Sequence, residues 1–502
     1  MNKFKKFTKV VCMLLVLAVV FLTAGCKENE KPEQEQEKVA AEEANRTLKI
    51  HCYTYESLNP LTEQNEVNTQ MLRLIFESLI VCDQTQRAQC VLADNYAVSP
   101  DGTVWTVNIK SGIKWHDGSD FTAYDVEKTY KDVLSYKEQS PYYALLTNLS
   151  DVYAVSDTEV NFKLEQPQVN FINLLDVPIV KYHSGEKFQP VGTGPYKYTE
   201  VKEKNIHLAS NDSWHGGKTS IKNVEVKILP DKDTAVYAYV SKEIDIVSVT
   251  SSKDWSEYSS NSDNVIVDYP SNTFNYICIN PAAEPLSNRL LRMAVAHSVD
   301  KEKICSEVLL SHGTVADSCM NRSWWVYNSG VTNYGYEPKK ASDTIEGLKK
   351  NMKIPTIRLM VNSESEDKCR VAEMIKDNLQ KSGINIAIDY VDWAAFTENV
   401  NSGNYQMYIG TIKYAGDINP AHIVKNSDEK LAGLFEQLKM LSDEKAIKEK
   451  YFEIQEKIAQ DINIIPLYFD NGSVMYNKRI EGDFKPFRTY IYNGIESLKL
   501  GS

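Results

Sequence analysis

The chain has 502 residues, more than one ordinary domain holds, so two or three compact bodies are expected. Its 42% hydrophobic and 25% charged content is globular, and a formal net charge of −12 argues against a basic nucleic-acid-binding face. The chain starts with Lys3, Lys5, Lys6 and Lys9, followed by an apolar run from Val10 to Leu22 that is too short to span a bilayer comfortably.

That run ends in Leu22-Thr23-Ala24-Gly25-Cys26, which resembles a bacterial lipobox. The resemblance implies cleavage before Cys26 and diacylation of its thiol; the other reading is an ordinary secretory cleavage site. Removing residues 1–25 takes away four lysines and no acids, so the charge goes from −12 to −16. Lys27 to Arg46 is charged, rich in Glu and Gln, and poor in large apolar side chains; it reads as a tether. Seven cysteines follow Cys26. With no C-x-x-C pair and an odd count, they read as small buried hydrophobes, at least one of them free.

Thr47 to Tyr53 alternates as a first strand, and Leu72, Ile75, Phe76 and Leu79 are spaced for an amphipathic helix. Val104 to Lys110 alternates again, between turns at Pro100-Asp101-Gly102 and Ser111-Gly112. His116-Asp117-Gly118 is a third turn, and Thr122 is placed to cap a helix opening at Ala123. His116 and Asp117 invite a metal or acid–base reading, but turn capping on a scaffold is favoured. Val191-Gly192-Thr193-Gly194-Pro195 is a glycine-rich turn without the Gly-Lys-Ser/Thr ending of a phosphate loop. Arg289 to Leu309 reads as helical, with Asp300 capping its second segment. Ile357 to Val361, Val371 to Leu379 with Gly383 as a stop, and Ile384 to Tyr390 form a β-α-β unit, which implies a parallel strand pair. Ile447, Tyr451, Ile454 and Ile458 mark a late helix, and Ile462 to Phe469 a buried strand.

Leu92, Ala93, Ser99, Asp101, Gly102, Gly112, Lys114, His116, Asp117, Gly118, Thr122, Ala123, Asp125 and Val126 resemble, in order and spacing, the signature of the family 5 extracellular solute-binding proteins. These are the peptide- and nickel-type receptors of ATP-binding cassette importers. The Val191–Tyr196 turn, Trp214-His215-Gly216-Gly217 and Ile244-Asp245-Ile246 are similar to further motifs of that family. The resemblance implies an α/β, two-lobed, periplasmic-binding-protein-like fold (type II, cluster C) with an extra subdomain inserted in lobe I. The expected division is a signal peptide at 1–25, a tether at 26–46, lobe I at 47–83, the inserted subdomain at 84–188, lobe I again at 189–272, lobe II at 273–470, and a return to lobe I at 471–502. Such lobes close around a ligand.

The resemblance further implies a lipid-anchored receptor on the extracytoplasmic face of the cell membrane. It would capture short peptides, hand them to ABC permease subunits and act as a monomer, with no catalytic residue, no cofactor, no metal and no nucleic-acid partner. Tyr405 to Ala421 reads as a strand followed by a loop, where α/β folds place ligands. The loop is similar to the family's G-W-x-x-D-x-x-x-P region, which makes Asp417 the expected partner of a ligand's amino terminus, with Tyr414, Gly416 and Trp393 as further contacts. The other reading of Asp417 is a turn stabiliser. A nickel chelate, with His422 near the cleft, another small solute or a signalling peptide are alternatives on the same fold. A surface hydrolase lacks any nucleophile motif here, and an adhesive scaffold has no need of a hinge.

Overall fold

The computed structural model describes residues 46–181, 188–249, 263–424 and 429–501. Cys26 and the tether as far as residue 45 lie outside the described residues. The first lobe holds two four-stranded sheets. One has the order β1 (Thr47–Tyr53), β10 (Asn223–Leu229), β9 (Asn205–Ser210), β8 (Tyr196–Lys202). The other is antiparallel, with the order β4 (Ala93–Val98), β5 (Val104–Ile109), β7 (Glu159–Leu164), β6 (Leu149–Ser156). Both sheets share one apolar core, in which Leu48 and Ile50 join Val107, Tyr130, Phe162 and Tyr196; Tyr492 and Leu498 from the end of the chain pack into the same core.

The signature segment folds as its turn residues dictate. Gly102, Gly112 and Gly118 all take positive φ. Thr122 and Asp125 form a reciprocal cap on the helix Ala123–Tyr136, with the Thr122 amide donating to Asp125 Oδ2 at 2.9 Å. His116 ties this segment to the Val191–Pro195 turn. Its Nδ1 accepts from the Gly192 amide at 3.2 Å, so its Nε2–H donates to Gly194 O at 3.0 Å. Burial pushes the imidazole down to about 4, which keeps it neutral in this role. It is a scaffold residue, as the turn-capping reading expected.

One helix is shorter than its spacing suggests. It covers Glu66–Leu72, and Leu74, Ile75, Phe76 and Leu79 follow it as a buried irregular segment. The reason lies 120 residues away by sequence: Gly194 N donates to Ile75 O at 2.9 Å and Tyr196 N to Leu74 O at 3.0 Å. Carbonyls used in this way cannot continue a helical ladder.

The second lobe is built on a seven-stranded mixed sheet. Its order is β11 (Ile246–Val249), β17 (Ile464–Asn477), β12 (Asn264–Ile279), β16 (Met407–Lys413), β14 (Ile357–Asn362), β15 (Ile386–Val391), with β13 (Gly313–Val315) also on β17. The β14–β15 pair is parallel and crossed by the helix Glu366–Lys381, as the β-α-β reading expected. Side chains alternate between two cores. Ile277, Ile279, Leu359, Met407 and Ile409 face one cluster, whereas Tyr276, Cys278, Met360 and Tyr408 face another.

β12 and β17 run between the lobes. Their register is continuous from Asn264 to Pro270, breaks, and resumes at Phe274. On one side of the break Val474 belongs to the first lobe's core; on the other, Ile277, Ile465 and Leu467 belong to the second's.

Candidate ligand-binding site

Two kinds of contact join the lobes. The first is a bridge built on the turn between β2 (Ile80–Cys82) and β3 (Ala88–Cys90). Trp325 N donates to Thr85 O at 3.0 Å, and Ser323 Oγ to Gln84 O at 3.2 Å. The Gln86 and Asn272 amides pair reciprocally, each donating at 3.1 Å, and both are buried. Arg87 Nη2 meets Glu444 Oε1 at 2.7 Å, and its guanidinium carbon lies 4.9 Å from the Trp325 ring centroid.

The Tyr414–Pro420 loop completes this bridge. Asn173 Nδ2 donates to Gly416 O at 2.9 Å and to Gln86 O at 3.0 Å. The approach is so close that a Cβ on Gly416 would sit 2.5 Å from Asn173 O. Asp417 Oδ2 accepts from Gln168 Nε2 at 3.2 Å, and Asp417 O from the Tyr451 hydroxyl at 3.3 Å. Burial raises the Asp417 carboxyl and outweighs the Gln168 hydrogen bond that would lower it.

The second kind of contact is a cavity of about 530 Å³ walled by both lobes beside the β12–β17 break. Tyr53, Glu66 and Arg488 line it from the first lobe; Asp470, Lys368 and His312 line it from the second. Burial pushes the Asp470 carboxyl up to about 6, although Asn275 Nδ2 donates to it at 3.1 Å. Burial also pushes Lys368 down. His51, on the first lobe's wall, is held neutral by burial at about 4 and leaves its Nδ1 without a partner.

His312, Asp268 and Ser473 meet nearby. Ser473 Oγ donates to Asp268 Oδ1 at 2.6 Å, and His312 Nδ1 lies 2.9 Å from Asp268 Oδ2. Both groups lean on the one Asp268 carboxylate. Among the described residues, no group of three or more His, Cys, Asp or Glu is arranged to hold a metal ion.

The four residues expected at the site are not brought together. Asp417 and Gly416 lie in the bridge. Tyr414 is buried in the second lobe's aromatic core, its ring 5.3 Å from Trp324 and its hydroxyl donating to Cys319 O at 3.0 Å. Trp393 is 56% exposed on the helix Trp393–Ser402 and stacks on Phe396 at 5.7 Å. None of the four lines the 530 Å³ cavity. His422 is exposed, in the turn Pro420–Ile423. Sequence reading missed Arg488 and Asp470. A signal for Arg488 existed: it stands inside the run Phe484 to Tyr492, which is rich in aromatic side chains and holds one other cation, Lys485.

Comparison with known proteins agrees with this architecture. The model of the bacterial extracellular solute-binding proteins, family 5, matches residues 88–423. Oligopeptide-binding protein AppA of Bacillus subtilis is 26% identical over 535 aligned residues, covering 96% of each chain. Dipeptide-binding protein DppE of the same organism is 24% identical, covering 95% of this chain and 97% of its own. The crystal structure of CtaP, an ABC transporter substrate binding protein from Listeria monocytogenes, superposes with a TM-score of 0.75 at 22% identity, over 91% of this chain and 99% of that one. The two-lobed α/β fold and the signature across the matched region place this chain in family 5 of the bacterial extracellular solute-binding proteins.

Proposed function

We propose that this protein is the extracytoplasmic receptor of an ABC importer, which captures a short peptide between its lobes and hands it unchanged to a permease. The observation that carries the reading is the cavity beside the β12–β17 break, walled by both lobes. A ligand touching both walls favours the closed arrangement over the open one, and this differential affinity is what couples capture to closure. A volume of about 530 Å³ falls within the range of about 300–1,000 Å³ usual for small-ligand sites. The relatives AppA and DppE, named for oligopeptide and dipeptide binding, support a peptide over other solutes.

Cys26 is the proposed anchor, its two acyl chains holding the receptor at the membrane as a monomer. Among the described residues no helix is long and apolar enough to cross a membrane. Asp417, which lies in the bridge and not on the cavity wall, is the proposed partner of the ammonium group of a ligand that extends from the cavity to the bridge. Gln168 now holds its carboxylate, so binding exchanges a neutral amide for a charged donor, which makes the stronger hydrogen bond.

The test is to incubate the pure protein with a mixture of short peptides and to analyse bound and free fractions by mass spectrometry. The proposal expects unchanged peptides retained in the bound fraction, a higher melting temperature and a smaller radius of gyration. New cleavage products would make the protein an enzyme, and no retention of any peptide would remove the peptide reading. For the anchor, Cys26→Ala should release the protein from the membrane fraction.

A further inference from the structure

The first-lobe wall of the cavity carries a guanidinium that the protein itself does not neutralise. Arg488 Nε is buried without a hydrogen-bond partner. Among the described residues its Nη atoms have none either, and Arg488 is one of the residues lining the cavity. Two carboxylates stand close enough to act on its charge, Asp176 and Glu66. Each is already engaged: Asp176 accepts from Arg73 Nη1 at 2.8 Å and Ser78 Oγ at 2.9 Å, and Glu66 meets Lys413 Nζ at 3.1 Å. The neighbouring Cys82 thiol is pushed up by burial and stays neutral. Three cations, Arg73, Lys413 and Arg488, therefore share two anions, and the uncompensated charge lies at the cavity wall.

The backbone that presents Arg488 is held firmly. Phe487 and Tyr490 bond each other's main chain at 3.3 and 3.0 Å, which closes a tight turn around it. Gln70 then clamps that turn from the helix Glu66–Leu72: its Nε2 donates to Arg488 O at 3.1 Å and its Oε1 accepts from Ile491 N at 2.9 Å. Gln70 is itself buried. A cation kept in a fixed place, poorly solvated and lacking a partner is costly for the empty protein. The cost falls when a ligand brings a planar anion that accepts from the fork of donors.

Building on the peptide reading above, we propose that Arg488 is the carboxylate-recognition residue of the cavity, and that the protein selects ligands carrying a free carboxylate there. A guanidinium fork suits a planar carboxylate, whether it is the peptide's own C-terminus or the side chain of an acidic residue. The opposite wall, with Asp470 and Lys368 on the second lobe, holds charge of both signs and gives a carboxylate no comparable net attraction. Ligand polarity across the cavity would then be fixed from the first lobe.

The experiment presents wild type and Arg488→Gln with an equimolar library of tri- to pentapeptides, each as free acid and as C-terminal amide, and quantifies captured species by mass spectrometry. Matched melting curves and circular dichroism establish that the variant folds. The proposal expects wild type to enrich free acids at least tenfold over amides and the variant to lose that preference, with Arg488→Lys intermediate. If enrichment follows Asp or Glu content and ignores amidation, the carboxylate comes from a side chain and Arg488 keeps its role. Equal capture of acids and amides by wild type, with no enrichment of Asp- or Glu-containing peptides and peptides still bound, overturns the inference and leaves the peptide reading standing. If no peptide is captured, the peptide reading fails by itself. Thermal shift with succinate and citrate then decides: stabilisation of wild type but not of Arg488→Gln supports Arg488 as a carboxylate site, and none overturns it.

Discussion

The bridge and the cavity join the same two lobes but treat polar groups in opposite ways. In the bridge, Gln86 has Asn272, Asn173 has Gly416 O, and Arg87 has Glu444. In the cavity, Arg488 Nε and His51 Nδ1 have no partner, and Asp470 is pushed up to about 6. Satisfied groups stabilise one arrangement of the lobes; unsatisfied ones lower the cost of binding something else. If the protein is the receptor proposed above, the bridge is its latch and the cavity the place where ligand free energy is gained. The experiments below are ways to break that division, beginning with the largest expected effect.

Two glycines separate fold from latch. A Cβ on Gly192 would sit 1.8 Å from Ile75 O inside the first lobe, whereas one on Gly416 would sit 2.5 Å from Asn173 O between the lobes. Overpacking of this kind costs about 1–3 kcal/mol. Gly192→Ala should lower the melting temperature without changing lobe separation. Gly416→Val should raise the radius of gyration measured by small-angle scattering and weaken ligand binding at least tenfold. If Gly416→Val scatters like wild type with ligand bound, the bridge is not a latch.

The next effect is on the cavity side and depends on pH. Asp470 has its folded value raised from 3.8 to about 6, so the folded state holds that proton more tightly than the unfolded chain does. This contribution favours folding most below about pH 4 and is lost progressively as pH rises to about 6, above which the full cost persists. Two units correspond to roughly 3 kcal/mol, which contact with cavity solvent reduces to about 1–2 kcal/mol. Asp470→Asn keeps an acceptor for Asn275 and removes the charge. It should stabilise the protein at pH 7–8 and lose that advantage by about pH 4. Melting curves across pH 4–8 check it; a constant difference between the two proteins would show that Asp470 is not paying this desolvation cost.

Much of the fold was legible because its elements repeat a period. The β14–helix–β15 unit could be read from alternation followed by a helical face, and the structure shows why: residues at odd and even positions enter different cores. The signature turns were legible because glycines mark positive φ. The helix after Glu66 was over-extended, since Leu74 and Ile75 are apolar at helical spacing while their carbonyls serve Tyr196 and Gly194. A partner 120 residues distant leaves no trace in local periodicity. The candidate site was least legible for the same reason. Arg488 and Asp470 stand 18 residues apart on different lobes, and only the β12–β17 crossing puts them on one cavity. Tyr414 was expected at the ligand and is placed in the aromatic core, because one chain's sequence does not show which way a loop aromatic turns.

A smaller effect belongs to Asp417, which stands in the bridge and is also the proposed ligand partner. Asp417→Asn keeps a hydrogen bond with Gln168 within reach, so a pure latch role predicts little change. The ligand role predicts at least tenfold weaker binding of peptides with a free amino terminus, about 1.4 kcal/mol. N-acetylated peptides should bind wild type poorly and lose little more in the variant. Calorimetry on the four combinations separates the roles, and equal affinity for free and acetylated peptides in wild type would leave Asp417 with the latch alone.

The smallest expected effect tests whether all bridge contacts matter alike. The Arg87 and Glu444 side chains are 44% and 64% exposed, so their ion pair sits in high dielectric and is screened by salt. Exposed pairs contribute about 0.2–1 kcal/mol, and the Trp325 face adds a cation–π contact of roughly 0.5–1 kcal/mol. Glu444→Gln should therefore cost a few tenths of a kcal/mol, and Arg87→Ala somewhat more because it also uncovers Trp325. The buried Gln86–Asn272 pair is different. Truncating either amide strands the other without solvent, at about 1–3 kcal/mol. Double-mutant cycles on the two pairs, at low and high salt, compare them directly. The coupling of Arg87 with Glu444 should be the weaker and should fade with salt, and that of Gln86 with Asn272 should persist. The opposite ranking would mean that the lobes are held by surface charge, and the latch would then open with ionic strength instead of with ligand.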